Sequence, residues 1–224
     1  MNTEAVKELL EQVKSGHIPV DRALNTLKDL PYQDLGYAMV DHHRALRSGH
    51  PETIFSEGKT VEQVVGIARR LLEKGSNIMA TRANRRVYEA LQSICDRVEY
   101  HEAARIVVMN REPAVTTRTT ILVMCAGTSD IPVAEEAAVT AEAMGNRVER
   151  LTDVGVAGIH RLLSNRDKIQ SASVLVVVAG MDGALPSVTA GLTDKPVIAV
   201  PTSIGYGASF GGLAALLTML NSCA

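Results

Sequence analysis

The amino-acid sequence predicts an α/β protein: a three-layer, doubly wound parallel sheet in its C-terminal part, preceded by a helical segment and a small α+β domain. Two observations carry this prediction. Beyond about residue 116, runs of Val, Ile and Leu alternate with helical segments, as in parallel strands buried on both faces. Before that point, apolar residues mostly recur at helical spacing. We therefore predict two domains, residues 1–115 and 116–224.

The N-terminal elements follow from spacing and capping signals. Apolar residues at helical spacing predict amphipathic helices over residues 5–13 and 20–27. Thr60 and Gln63 form a capping box that begins a further helix, and Gly75 ends it. Residues 78–81 and 105–109 are predicted strands, and residues 110–118, which contain Pro113 and two threonines, are the predicted linker.

The C-terminal elements alternate regularly between strand and helix. Since crossover connections between parallel strands are right-handed, this alternation predicts helices on both faces of the sheet. The predicted strands are residues 120–125, 147–153, 173–179 and 195–200, and the predicted helices are residues 131–144, 156–164, 187–192 and 211–222.

Composition excludes several classes of partner and location. The net charge of −2 gives no overall attraction to nucleic acid or to an anionic membrane, and 3% aromatic residues without Trp disfavour base stacking. We expect no metal site, because the three cysteines lack metal-ligand spacing and His42 and His43, adjacent on a presumed strand, would point to opposite faces. Without a signal peptide or a long apolar segment, a cytoplasmic protein is expected.

Gly, Ser, Thr and Asp are dense after each predicted C-terminal strand. In an open parallel sheet ligands bind at this edge, and glycines let backbone N–H groups approach an anion. A phosphate or carboxylate site is therefore predicted, although each loop alone also fits an ordinary tight turn. The dinucleotide fingerprint GxGxxG and a phosphate-loop lysine are absent from the sequence. The candidate binding residues are Gly127, Thr128, Ser129, Asp130, Asp153, Gly155, Gly180, Met181, Gly183, Pro201, Ser203, Gly205, Tyr206 and Gly207.

Cys223 is the candidate catalytic thiol. It follows an apolar helix that turns polar at Asn221 and Ser222, whereas Cys95, in a helical segment, and Cys125, in a core strand, fit buried packing roles. A packing role for Cys223 also stays open. The negative end of the helix dipole opposes a thiolate there, so a reactive Cys223 needs a base or a cationic substrate nearby.

Five sequence blocks resemble those of the LarB family. They are AGTSDIPVAEEA (residues 126–137), DVGVAGIHRLL (153–163), AGMDGALPSVTAGL (179–192), PVIAVPTSIGYGASFGGLAALLTMLNSCA (196–224) and the run 41–63, which contains Arg44, Arg47, Gly49, Pro51, Glu52, Gly58, Lys59 and Thr60. This family comprises pyridinium-3,5-biscarboxylic acid mononucleotide synthases of nickel pincer cofactor biosynthesis. The C-terminal part also resembles aminoimidazole ribonucleotide carboxylases, with which it shares the turn at residues 127–130.

The resemblance implies a reaction. Nicotinic acid adenine dinucleotide and carbon dioxide or bicarbonate are the substrates, Cys223 is the nucleophile that adds to the pyridinium ring, and Asp182 accepts or donates a proton. Hydrolysis then releases AMP. The resemblance implies a homo-oligomer, an octamer, and no tightly bound cofactor; whether Mg²⁺ assists hydrolysis stays open. Because family chains continue past this motif, a truncated chain is expected.

Two other functions are considered. A purine-pathway aminoimidazole ribonucleotide carboxylase or mutase would share the fold and the turn. Such enzymes use a histidine at the carboxylate-transfer step, and none lies between Arg161 and Ala224; His160 is the nearest. The other alternative is a non-catalytic nucleotide-binding module in which Cys223 is a packing residue.

Overall fold

The computed structural model of the protein describes residues 3–28, 32–50, 52–75, 77–109 and 117–224. The chain forms two compact units, Met1–Glu112 and Pro113–Ala224. Residues 110–116 of the predicted linker, and with them the predicted boundary after residue 115, lie outside the described residues. No helix in the described ranges is long and apolar enough to cross a membrane.

The N-terminal unit is an α+β unit built on a four-stranded sheet of order β3-β4-β6-β5, in which only β3 and β4 run parallel. The short strands β1 and β2 pair separately as an antiparallel ribbon. Its elements are α1 (Thr3–Lys14), α2 (Val20–Lys28), β1 (Gln33–Asp34), β2 (Met39–Val40), α3 (Arg44–Ser48), β3 (Thr53–Phe55), α4 (Val61–Glu73), β4 (Ile78–Thr81), α5 (Arg85–Gln92), β5 (Val98–His101) and β6 (Ile106–Met109).

Helix α4 begins at the predicted capping box. The Thr60 hydroxyl accepts a hydrogen bond from the Gln63 backbone N–H at 3.2 Å, and the Gln63 side chain accepts one from the Thr60 N–H at 3.0 Å. These two bonds satisfy backbone donors that the first helical turn leaves free. The apolar face of α4, including Val64 and Leu71, is buried against the core of this unit.

Two N-terminal expectations were wrong. Cys95 lies in the loop beyond α5, which ends at Gln92, and its thiol donates to the Arg97 carbonyl at 3.4 Å. His42 and His43 lie in a bend before α3 and not on a strand. The Asp41 carboxylate accepts from the His43 N–H at 2.9 Å, and this local bond turns the chain into α3.

The C-terminal unit is a four-stranded, fully parallel sheet of order β10-β9-β7-β8, which confirms the predicted α/β fold. Its elements are β7 (Thr120–Cys125), α6 (Ile131–Ala143), β8 (Arg147–Leu151), α7 (Ile159–Leu163), α8 (Arg166–Ser171), β9 (Val174–Ala179), α9 (Ala184–Ala190), β10 (Val197–Pro201) and α10 (Leu213–Leu220). Short 3₁₀ turns occupy Thr128–Asp130, Val156–Gly158 and Phe210–Gly212.

Alternate residues of β7 supply the two faces of this sheet. Val123 and Cys125 pack against Ala134 and Ala138 of α6 on one face. Leu122 and Met124 join the cluster on the opposite face. Since successive side chains of a strand point to opposite sides, the continuous apolar strands fill two helix-covered cores and give three layers. Residues of α7, α8 and α9 that complete the second cluster include Leu162, Ile169 and Leu185.

Helix α9 begins at Ala184, earlier than the predicted start at residue 187. The Asp182 carboxylate accepts a hydrogen bond from the Ala184 N–H at 3.3 Å, just before the helix. Pro186 falls in the first helical turn, where the absence of an N–H is tolerated. The helix therefore starts at the edge of the sheet, directly after β9.

Candidate active site

A cleft of about 600 Å³ lies at the carboxyl ends of the parallel strands. Strand order places β7 beside β9, and their connections lead away to opposite edges of the sheet, so a crevice opens between their following loops. All four strands contribute their following loops to the cleft. The lining residues are Ala126, Gly127, Ser129, Asp130, Gly155, Val156, Ala157, Ala179, Gly180, Met181, Asp182, Ala184, Leu185, Ile204, Gly205 and Tyr206.

The structure brings together many, but not all, of the candidate residues. Those that line the cleft are Gly127, Ser129, Asp130, Gly155, Gly180, Met181, Asp182, Gly205 and Tyr206. Thr128, Asp153, Gly183, Pro201, Ser203, Gly207 and Cys223 are not among its lining residues. The apolar wall formed by Ala126, Val156, Ala157, Ala179, Ala184, Leu185 and Ile204 was missed. Their position in or beside the same loops was the available signal, but apolar residues there also fit a packed core.

Asp130 is buried, with 3% of its surface exposed, and both of its carboxylate oxygens have donors. Oδ2 accepts from the Gly127 N–H at 3.1 Å, and Oδ1 accepts from the Thr202 hydroxyl at 2.8 Å. A buried carboxylate needs such donors to offset its desolvation. Asp130 therefore shapes the turn after β7, in addition to lining the cleft.

Gly180 forms the floor of the cleft between the loops after β9 and β10. The Met181 N–H donates to the Ile204 carbonyl at 2.8 Å, which holds the two loops together. A Cβ atom at position 180 would lie 2.2 Å from the Ile204 carbonyl oxygen and 2.7 Å from the Thr202 hydroxyl oxygen. The loops can approach this closely only because residue 180 has no side chain.

Asp182 and Tyr206 stand at the mouth of the cleft. Asp182 is exposed, and its acceptor bond from Ala184 uses one carboxylate oxygen at the start of α9. Tyr206 is 80% exposed, so its ring is accessible to a bound molecule. Asp182 can exchange a proton with a ligand, and Tyr206 can cover an aromatic ring.

Asp153 lies at the rim in a left-handed backbone conformation, with a φ angle of 58°. Its carboxylate accepts a hydrogen bond from the Arg161 guanidinium. The Arg161 side chain lies across Gly158, where a Cβ atom would be 2.6 Å from its Nε. Arg161 is thus already paired with a carboxylate.

Cys223 is exposed and lies beyond the end of α10. Neighbouring Ser222 accepts a hydrogen bond from the Ser187 hydroxyl at 2.8 Å, which fixes the end of this segment against α9. Cys125 is buried beneath the turn after β7, and burial raises the pKa of its thiol. Cys125 therefore stays a neutral packing residue, whereas the role of Cys223 as nucleophile stays a prediction.

The charges of the cleft have one sign. Asp130 and Asp182 line it, whereas none of the described lining residues is Lys, Arg or His. Two carboxylates in a cleft without a basic lining residue favour a ligand group with positive charge. Within the described ranges, no three His, Cys, Asp or Glu side chains are grouped so that they could hold a metal ion.

Comparison with known proteins divides the chain in the same way as its fold. Residues 32–112 match the LarB/PurE-like N-terminal domain. Residues 120–224 match the AIR carboxylase domain, and this match contains the whole cleft.

Two proteins of Methanocaldococcus jannaschii are similar to the chain. One, named uncharacterized protein MJ0165, is 35% identical over an alignment 232 residues long, which covers 97% of this chain and 88% of that protein. The other, an N5-carboxyaminoimidazole ribonucleotide mutase, is 38% identical over 101 residues, which cover 44% of this chain and 59% of that protein. The full-length similarity and the two domain matches together define the family.

Proposed function

The chain belongs to the LarB-like family, in which a LarB/PurE-like N-terminal domain precedes an AIR carboxylase domain, and from this premise we propose its reaction. Its domains are those of a carboxylase or mutase type of enzyme. The proposed substrates are nicotinic acid adenine dinucleotide, carbon dioxide or bicarbonate, and water. The proposed products are pyridinium-3,5-biscarboxylic acid mononucleotide and AMP.

The charge of the cleft is the observation that carries this proposal. Asp130 and Asp182 line it without a basic side chain among the described lining residues. The pyridinium ring of nicotinic acid adenine dinucleotide is a cation, and the carboxylates would favour it over a neutral ring. The ring of aminoimidazole ribonucleotide is neutral and lacks this attraction. Both substrates carry phosphate groups, so the charge of the ring makes the difference. The charge therefore favours the dinucleotide over the purine-pathway substrate.

The reaction proceeds through a covalent intermediate. The Cys223 thiolate adds to C4 of the ring, and the displaced electron pair neutralises the ring nitrogen. C5 of the resulting dihydropyridine forms a bond to the carbon of carbon dioxide. Asp182 accepts the C5 proton, the sulfur–C4 bond breaks with its electron pair returning to sulfur, and the ring becomes aromatic again. Covalent catalysis of this kind divides one difficult step into easier ones. Water then cleaves the phosphoanhydride and releases AMP.

Backbone and side chains of the cleft assist these steps. The turn at Thr128–Asp130 presents Ser129 to the cleft, beside the start of α6, where backbone N–H groups stabilise a carboxylate or phosphate. Met181 and Tyr206 supply surfaces that cover the ring. Excluding water in this way protects the dihydropyridine from side reactions.

We also propose that the chain assembles with further copies of itself through α10. The resemblance to the LarB family implies such a homo-oligomer, an octamer. Large apolar residues on and before α10 are exposed, Phe210 at 77% and Leu220 at 72%. An exposed apolar surface of this kind marks an interaction site. The other exposed apolar residues of this surface are Ile198, Leu213, Leu216 and Leu217.

Assembly also bears on the position of the nucleophile. Cys223 adjoins the apolar surface of α10 and does not line the cleft of its own chain. We propose that a second copy brings its Cys223 to this cleft. Each site then takes Asp182 from one chain and the thiol from another.

Mixing two inactive variants tests this arrangement. Cys223→Ala and Asp182→Ala should each be inactive alone, but co-expressed chains should recover about one quarter of wild-type turnover, the fraction of sites that combine both intact residues. The turnover of the co-expressed chains is compared with the turnover of each variant expressed alone. If the mixture is as inactive as its components, thiol and carboxylate belong to the same chain.

A comparison of two substrates tests the proposed function itself. With bicarbonate present, the protein should release AMP from nicotinic acid adenine dinucleotide and should leave aminoimidazole ribonucleotide unchanged. A nucleotide-binding module without catalysis would bind the dinucleotide and release no AMP. Consumption of aminoimidazole ribonucleotide would identify the purine-pathway reaction instead.

A further inference from the structure

A buried hydrogen bond joins two loops of the cleft that are distant in sequence. The Thr202 hydroxyl, after β10, donates to the Asp130 carboxylate, after β7, at 2.8 Å. Both residues are buried, with 6% and 3% of their surface exposed. The same Thr202 oxygen accepts from the Ile204 N–H at 3.4 Å, and the Thr202 N–H donates to the Ala179 carbonyl at 3.0 Å. Thr202 thus connects its own loop with the end of β9 and with the loop after β7.

This hydrogen bond passes over the end of a strand. Strand β9 lies between β7 and β10, so the two loops start roughly 10 Å apart. The bond can form because Gly180, at the end of β9, presents no side chain: its Cβ would lie 2.7 Å from the Thr202 hydroxyl oxygen. The three residues therefore form a single buried link across the floor of the cleft.

We propose that Thr202 is a positioning residue of this cleft, although it does not line it. Its hydroxyl holds the Asp130 carboxylate, and Asp130 in turn holds the Gly127 N–H and the turn that presents Ser129. Hydrogen bonds to a buried charged group are among the stronger ones in proteins. Removing one partner leaves the other buried without a hydrogen bond, which costs the free energy of its desolvation. Loss of the hydroxyl releases the turns after β7 and β10 from one another.

The expected consequence for catalysis rests on the proposed function, whereas the expected loosening of the loops does not. Thr202→Val removes the hydroxyl and keeps the shape of the side chain. Amide hydrogen exchange in residues 127–130 and 203–207 should become about 10- to 100-fold faster. The KM for nicotinic acid adenine dinucleotide should rise by about the same factor, with a smaller change in kcat, since the affected turn binds the substrate in every state.

Two control variants separate the hydroxyl from general packing. Thr202→Ser keeps the donor and should restore wild-type exchange and KM. Thr189→Val removes a buried hydroxyl that has no hydrogen-bond partner within the described residues and should change neither quantity. If Thr202→Val does not fold, Thr202→Cys replaces it, because a thiol is a weak donor.

The outcomes are distinct. Unchanged exchange in Thr202→Val, or equal loosening in Thr202→Val and Thr202→Ser, overturns the positioning role. Faster exchange in Thr202→Val alone supports it. If Thr202→Val shows the faster exchange but the wild-type protein does not turn over the dinucleotide, the positioning role stands and the proposed function fails.

Discussion

Replacement of Cys223 by alanine should lower carboxylation of nicotinic acid adenine dinucleotide by about 10³-fold or more, because the proposed covalent intermediate needs its thiolate. The thiol is exposed, so its removal should leave thermal unfolding unchanged. The measurement is the initial rate of AMP release together with the unfolding temperature. A large loss of rate in a protein of normal stability identifies a chemical role.

The matched control is Cys95→Ala. Cys95 is also a free thiol, half-buried in the N-terminal unit, and its removal should preserve turnover. Cys223→Ser tests the nucleophile further, since a hydroxyl is a far weaker nucleophile than a thiolate and should also be inactive. Turnover of Cys223→Ala within about threefold of wild type would remove Cys223 from the mechanism.

Gly180→Ala should damage both stability and catalysis. The added Cβ would lie 2.2 Å from the Ile204 carbonyl oxygen and would press on the Thr202 hydroxyl, so the loop after β10 must move. Overpacking of this kind costs about 1–3 kcal/mol of unfolding free energy. Displacement of Thr202 would also break its bond to Asp130. We expect a loss of turnover larger than the loss of stability predicts, measured by chemical denaturation and by AMP release.

Gly191→Ala is the control for this substitution. Gly191 ends α9 with a φ angle of −68°, and a Cβ there would meet its nearest neighbour, the Val188 carbonyl oxygen, at 3.5 Å. An alanine fits this conformation, so stability should change by less than about 1 kcal/mol. Equal effects of the two substitutions, or wild-type behaviour of Gly180→Ala, would contradict the close approach of the loops.

The parallel sheet was predictable because strands buried on both faces appear in the sequence as continuous apolar runs. Strand β9 is a continuous apolar run, and glycine-rich turns mark where such strands end. The missed strand β5 is different: Val98–His101 contains a glutamate and a histidine, and its pairing with β6 depends on contacts that local sequence does not reveal. Fold class follows from periodicity, whereas a short, partly polar strand such as β5 depends on its neighbours.

The sequence predicted which loops form the cleft, but not which side chains contact each other there. Glycines after each strand, with acids after β7, β8 and β9, indicated which segments meet, because the ends of parallel strands share one edge. The bond between Thr202 and Asp130 joins residues 72 positions apart, and nothing in either local sequence selects the partner. The position of Cys223 outside the cleft of its own chain was equally hidden, since it depends on how α10 packs against α9.

Incorporation of labelled bicarbonate tests the central claim most directly. The protein is incubated with labelled bicarbonate and nicotinic acid adenine dinucleotide, or with aminoimidazole ribonucleotide in a parallel reaction. The proposed function predicts label in a pyridine mononucleotide with two ring carboxylates, formed in equal amount with AMP, and no label in the imidazole nucleotide. Absence of labelled mononucleotide from the folded wild-type protein, or label in the imidazole nucleotide instead, would contradict it.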